Sequence, residues 1–114
     1  MKPAKFEHQR MTSLDEAVKA LGNAEGETRV LGGGQSLGPM MNLRLAQPDV
    51  VLDLSKVEGL DGIEETGNAI RVGARVSHAR IEDGEVPGKT GDYMQFVATG
   101  ISYRSVRNRG TIGG

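Results

Sequence analysis

The sequence predicts a fold of mixed helix and strand, and three observations carry that prediction. A serine-capped amphipathic segment opens at Ser13. A β-favouring run at residues 28–31 passes through three consecutive glycines into a second segment of helical period. Two short runs flank Gly67-Asn68 as the arms of a hairpin would.

The elements follow in order. Residues 4–10 (AKFEHQR) form a short strand, with Pro3 placing it at a start or an edge. Ser13-Leu-Asp-Glu16 has the S-x-x-E form of a capping box, in which Ser13 accepts from the Glu16 amide and Glu16 reaches back. Leu14, Ala17, Val18 and Leu21 follow at helical spacing, and Gly22 supplies a left-handed terminator, which gives a helix over 13–21. Residues 28–31 (TRVL) read as a strand leading into Gly32-Gly33-Gly34-Gln35-Ser36. Residues 37–45 (LGPMMNLRL) keep apolar residues at 37, 40, 41 and 45, the pattern of a short helix entered through Pro39. A buried strand is expected at 49–54 (DVVLDL), then a hairpin with arms near 63–66 and 69–73. One or two helical turns are expected at 77–82. Residues 83–91 (DGEVPGKTG) read as a loop and a flexible spacer by composition. Tyr93, Phe96, Val97 and Ile101 keep helical spacing over 92–104, ahead of the Arg-rich, Gly-Gly terminus. Those last apolar residues have nothing to pack on, so a truncated chain is expected.

Composition bounds the partners. With 114 residues the chain amounts to one domain or less, and its 37% hydrophobic content, two Phe, two Tyr and no Trp imply a small core completed by something else. Seventeen glycines without a Gly-X-Y period exclude collagen and predict many positive-φ turns. A net charge of −1 gives no long-range field for nucleic acid or an anionic membrane. The absence of cysteine excludes disulfides, thiolate metal sites, Fe–S ligation and cysteine nucleophiles on this chain. There is no apolar signal region and no stretch near the roughly 20 apolar residues of a membrane span. A soluble protein with a cytoplasmic location is expected.

The glycine loop is the principal candidate for chemistry. Three glycines between a strand and a helix let the backbone approach a phosphate, because no Cβ blocks it and several N–H groups can converge on one anion. The following helix N-terminus would add its positive end. Ser36 and Gln35 offer uncharged donors. A Gly-rich tight turn also serves purely structural ends, so both readings stand at this level. The dinucleotide pattern G-x-G-x-x-G fails, since Leu37 occupies its third glycine position. The Walker pattern fails as well, with Pro39 and Met40 where Lys and Ser or Thr belong.

The run Leu31-Gly-Gly-Gly-Gln-Ser-Leu37, followed by Pro39-Met40-Met41-Asn42-Leu43-Arg44-Leu45 and Pro48, is similar to the first flavin motif of the FAD-binding medium subunits of the xanthine oxidase and carbon monoxide dehydrogenase family. Ile101 and Val106-Arg-Asn-Arg-Gly-Thr-Ile-Gly-Gly114 resemble the second pyrophosphate-binding stretch of the same family, at a fitting separation. The resemblance runs from Pro3 to Gly114 and covers less than half of a family subunit. Gly32 and Gly38 depart from it, standing where many relatives have a small or branched apolar residue.

The resemblance implies an α+β fold, the N-terminal portion of a two-subdomain FAD-binding domain of the PCMH type found in molybdenum hydroxylases. An α/β subdomain over residues 1–57 would carry the first motif. A second, mainly β subdomain would begin at 58 and reach the second motif by 114, with FAD between them. By matching position, Gly32, Gly33, Gly34, Gln35, Ser36 and Leu37 would wrap the FAD pyrophosphate and ribityl region. Thr111, Ile112, Gly113 and Gly114 would close the other side, and Ile101 would lie near the flavin. No residue here need be an acid, base or nucleophile. In such enzymes a molybdenum cofactor on a large subunit oxidises the substrate, and electrons pass through Fe–S clusters on a small subunit to FAD and on to an external acceptor. The implied partners are those two subunits, in a heterotrimer or its dimer. The rival is a non-catalytic structural or subunit-assembly fragment with no flavin. A covalent-flavin oxidase fits less well, because neither His8 nor His78 lies in a glycine loop.

The remaining candidates have plainer readings. His8 and His78 lack an acidic cluster at metal spacing, so no metal is assigned. Glu64-Glu65 and Glu82-Asp83 read as solvated surface. Arg104, Arg107 and Arg109 read equally as a solvated turn or subunit contact and as a group that attracts cofactor phosphate. Met40-Met41 reads as core packing.

Overall fold

The computed structural model describes residues 1–114, and the chain divides into two compact units, Met1–Glu58 and Gly59–Gly114. In the first, β1 (Glu7–Arg10), β2 (Thr28–Leu31) and β3 (Val50–Asp53) form an all-parallel sheet in the order β1-β3-β2. Glu7 and Thr28 both lie level with Val50, and Arg10 and Leu31 both lie level with Asp53. The central strand is β3, and its alternation explains why. Val51 and Leu52 point to opposite faces and are each 1% exposed, so the run is buried on both sides, as central parallel strands are. Met41, Ala46 and Val51 form the core of this unit, with Phe6, Leu31 and Leu37 packed against them.

The helix α1 (Leu14–Gly22) starts where the sequence indicates, with the Ser13 hydroxyl accepting from the Glu16 amide at 3.1 Å. The return arm of the box differs. Glu16 accepts from the Thr12 amide at 2.9 Å and the Thr12 hydroxyl at 2.7 Å, one residue before the cap. Those two bonds, the amide foremost, hold the Glu16 carboxyl below its usual range. The expected left-handed Gly22 is not found. Gly22 is helical, and Asn23 ends the helix at φ −99° and ψ 5°, so no left-handed residue is required. Only Ala17 of the predicted apolar stripe is buried. Leu14, Val18 and Leu21 are exposed because nothing in the chain lies over them.

The helix α2 (Leu37–Asn42) is shorter than the predicted 37–45. Arg44 adopts φ +57°, and the Leu45 amide reaches the Met40 carbonyl at 2.8 Å while the Arg44 amide reaches Met41 at 2.9 Å. This Schellman closure ends the helix with an arginine in the place usually taken by glycine. Met41 is buried, whereas Met40 and Leu45 are exposed, so the expected core role falls to one methionine of the pair.

In the second unit, β4 (Ile63–Thr66) and β5 (Ala69–Val72) form the antiparallel hairpin, with Gly67 at φ +59° opening its two-residue turn. Three helices follow: α3 (His78–Glu82), α4 (Gly88–Thr99) and α5 (Arg104–Arg107). Within residues 59–114 this part consists of one hairpin and three helices. Residues 83–91 are not a spacer. Helix α4 begins at Gly88, and Gly91 is a packing residue, since a Cβ there would overlap the Val86 carbonyl oxygen. The helix also stops at Thr99, short of the predicted 104. Its buried face is Gly91 and Ala98 with Met94 beside them, while Tyr93 and Phe96 are exposed and Ile101 lies beyond its end. Val76, Ile81, Val86 and Ala98 make the core, flanked by Ile63, Ile70, Val72 and Met94.

Candidate cofactor site

The glycine loop leaves the carboxyl end of β2 beside the carboxyl end of β3, the edge at which open parallel sheets bind ligands. The Leu54 amide donates to the Leu31 carbonyl at 3.0 Å and fixes the point of departure. From Gly32 to Leu37, none of the six backbone amides has an acceptor in the protein. Backbone donors left unpaired in a partly buried loop call for an outside acceptor, either water or an anion. Gly34 alone of the three glycines has a positive φ, +74°, and a Cβ there would lie 3.2 Å from Leu31 Cδ1. The Gln35 side chain donates to the Gly33 carbonyl at 3.2 Å and braces the turn. Ser36 makes no side-chain cap bond, so its exposed hydroxyl remains available. The first turn of α2 carries no acidic residue. With six residues, α2 adds little axial dipole, and the donors that matter are the loop amides rather than the expected helix end. A diphosphate fits this donor set.

The second motif is built differently. Residues 110–113 lie along 74–78. The His78 amide donates to Gly110 at 2.9 Å, Ile112 to Val76 at 3.0 Å and Gly113 to Ala74 at 2.8 Å. The Gly114 amide and the Thr111 hydroxyl close the turn, at 3.1 and 2.7 Å, between residues 111 and 114. The terminal glycines therefore allow close approach: a Cβ on Gly113 would lie 2.7 Å from Ala74 Cβ, and one on Gly110 2.9 Å from His78 Nδ1. Of the amides at 111–114, only that of Thr111 is free. Beside this segment lies an apolar cavity of about 210 Å³ whose walls include His78, Tyr93, Met94, Val97, Ile101 and Ile112. The structure brings Ile101 and Ile112 together there, which the sequence alone did not indicate.

The charged candidates divide. Arg104 pairs with Asp83 through two bonds of 2.8 Å and with Glu82 at 2.9 Å. Arg107 pairs with Glu82 and donates to the Ile101 and Ser102 carbonyls at 2.9 and 3.0 Å. Glu82 and Asp83 are thus not merely solvated surface. Arg104 foremost, with Arg107 on Glu82, holds both carboxyls below their usual range, and Asp83 and Glu82 in turn raise Arg104. Arg109 is the one arginine of the three without a partner. His8 meets Asp53 across the sheet at 2.8 Å, and Asp53 also accepts from the Ser55 amide at 2.8 Å. Burial pushes the Asp53 carboxyl up, but Ser55 and His8 outweigh it and the net shift is downward. Burial pushes His78 down, and its Nδ1 has no partner. No group of three or more His, Cys, Asp or Glu side chains is arranged to hold a metal.

A parallel-sheet glycine loop with unspent amides, followed by a glycine-closed second turn, is the framework of a nucleotide-cofactor domain. Residues 4–114 match the family described as the FAD binding domain in molybdopterin dehydrogenase, and the chain belongs to it. It is 35% identical to the caffeine dehydrogenase subunit beta of Pseudomonas sp. (strain CBB1), over all of this chain and 39% of that protein. It is 39% identical to the nicotine 6-hydroxylase medium subunit of Paenarthrobacter nicotinovorans, over all of this chain and 40% of that protein. Among solved structures it resembles the carbon monoxide dehydrogenase of Hydrogenophaga pseudoflava that lacks the Mo-pyranopterin moiety. The TM-score is 0.89 at 36% identity, covering all of this chain and 40% of that one. The chain thus spans about two fifths of the length of the relatives it matches. No helix is long and apolar enough to cross a membrane.

Proposed function

We propose that Gly32, Gly33, Gly34, Gln35, Ser36 and Leu37 hold the FAD diphosphate, and that Thr111, Ile112, Gly113 and Gly114 supply the second set of contacts. Residues 1–57 and 58–114 are then the two subdomains that each bring one motif. The observation that carries this reading is the run of six amides, Gly32 to Leu37, with no acceptor in the protein. These amides and the Ser36 hydroxyl bind anionic oxygens without a metal or a cationic side chain. Gly34 sets the turn that aims them, and Gln35 braces it through the Gly33 carbonyl. In the second unit the Thr111 amide is the free donor, while the pairing of 110–113 with 74–78 fixes its direction.

When bound, FAD supplies electron relay, from Fe–S clusters on a small subunit to an external acceptor, for a substrate oxidised at a molybdenum cofactor on a large subunit. The chain's own part is to bind and orient, and none of its residues acts as acid, base or nucleophile. Those two subunits are the proposed partners, in a heterotrimer or its dimer. The exposed stripe Leu14, Val18 and Leu21 favours a role in assembly beside cofactor binding.

The test is FAD titration of the complete gene product and its Gly33→Val/Gly34→Val double variant. Valine at the φ of +74° found at Gly34 is strongly disfavoured, and its added Cβ would press on Leu31 Cδ1 at 3.2 Å. Loss of flavin from a folded variant is expected. Native affinity in the double variant would reject the loop as the diphosphate site.

A further inference from the structure

The turn that joins α4 to α5 contains a serine in an unusual conformation. Ser102 sits at φ +46°, a region that L side chains rarely adopt and that is held only where the surroundings impose it. Backbone bonds from Ile101 to Ala98 and from Val106 to Tyr103 flank the turn, and the side chain that meets it is Arg107. Arg107 Nη1 donates to the Ile101 carbonyl at 2.9 Å and to the Ser102 carbonyl at 3.0 Å, so both peptides of the turn point at the same nitrogen. The Arg107 side chain is 13% exposed and is ion-paired with Glu82 of α3, whose side chain is 17% exposed. Arg104 in turn fixes Glu82 and Asp83. The guanidinium presents its five donors in one fixed plane, so it can meet a carboxylate along one edge and two carbonyls from the other in a set geometry, which the compact, freely rotating ammonium of a lysine does not impose.

Two consequences follow from where this turn lies. Ile101 stands in the wall of the apolar cavity together with Ile112. Helix α5, which begins two residues after Ser102, leads through Gly110 into Thr111. Both the cavity wall and the approach to the second motif are thereby tied to the 101–102 turn. Arg107 faces into the unit, ion-paired with Glu82 and donating through Nη1 to the two carbonyls.

We infer that Arg107 is a positioning residue for the cofactor: locked by Glu82, it holds the Ile101–Ser102 turn in its left-handed form and so places Ile101 and the second motif. It does so without touching the diphosphate. The inference rests on the reading that this chain binds FAD.

The experiment titrates FAD into the complete gene product carrying Arg107→Gln, Ser102→Gly or both, at low and high salt. Glycine takes a positive φ without a side-chain penalty, so it relieves the turn of its need for the arginine. Arg107→Gln is expected to weaken FAD binding roughly tenfold, the scale of losing hydrogen bonds from a charged donor. Adding Ser102→Gly is expected to restore most of that affinity. Ser102→Gly alone leaves it at the wild-type value. The loss is the same at both salt concentrations, and the visible absorption of the bound flavin changes with Arg107→Gln and returns with the second substitution. A purely structural arginine would lower the melting temperature and leave affinity and spectrum alone in protein still folded, which overturns the inference. A loss that shrinks with salt and resists Ser102→Gly also overturns it, since that is the behaviour of a phosphate contact. If Arg107→Gln does not fold, Glu82→Gln with and without Ser102→Gly carries the same test. Failure of the wild-type protein to bind FAD would instead remove the cofactor reading itself.

Discussion

Replacing Gly34 by alanine separates the backbone geometry of the cradle from its sterics. At φ +74° an L residue carries a penalty of about 1–2 kcal/mol, while the new Cβ, 3.2 Å from Leu31 Cδ1, meets only the end of a flexible side chain. The conformational part therefore dominates. It corresponds to about 5- to 30-fold in an equilibrium constant, divided between folding stability and FAD affinity according to how far the empty loop can relax. Gly34→Asn is expected to lose less, because asparagine enters the left-handed region more readily. Gly38→Ala is the control. It is helical with nothing within 4 Å of a Cβ, so it gains up to about 1 kcal/mol of helix propensity. FAD titration and urea denaturation of the same preparations measure both shares. Unchanged stability and affinity in Gly34→Ala, or an equal loss in Gly38→Ala, would refute the argument that the turn at Gly34 is what aims the amides.

Two further outcomes follow from the packing and the charges. Gly91→Ala is expected to destabilise the second unit by about 3 kcal/mol or more, because its Cβ would overlap the rigid Val86 carbonyl, whereas Gly22→Ala, with open space around it, is expected to be neutral or stabilising; urea midpoints compare the two. The Asp53 carboxyl is held below its unfolded value, so its contribution is complete above about pH 4 and is lost as pH falls through the folded value. Asp53→Asn should therefore lower stability at neutral pH and flatten its fall in acid, and an acid limb identical to wild type would show that the His8–Asp53 pair does not stabilise the sheet.

The sequence was most legible where a signal is local. The Ser13 cap, the TRVL strand and the Gly67-Asn68 turn each state their conformation within a few residues, and the structure places them as read; the buried strand expected at 49–54 is found one residue shorter at each end, as Val50–Asp53. It was least legible where glycine carries two meanings. The same residue type that frees a turn at Gly34 permits a helix to touch a carbonyl at Gly91, so 83–91 read as a spacer although most of its second half is helical. The apolar spacing of Tyr93, Phe96 and Val97 named the wrong face of α4, because Gly91 and Ala98, too small to register as hydrophobic anchors, are the residues in contact. At the site, the glycine loop was visible as a motif. The pairing of Glu82 with Arg107 was not, since the two lie 25 residues apart on different helices.

The sequence by itself determined the family, the cofactor class and the order of the elements as far as α4, because short motifs and local backbone preferences survive without any knowledge of neighbours. The tertiary structure decided which donors remain free. It left the amides of 32–37 unspent and consumed all three of those at 112–114. It also turned Arg107 inward to a carboxylate and two carbonyls, and left Arg109 alone without a partner. A hydrogen-bond donor is available only if nothing else in the fold has taken it, and that is a property of residues distant in sequence brought within about 3 Å of one another.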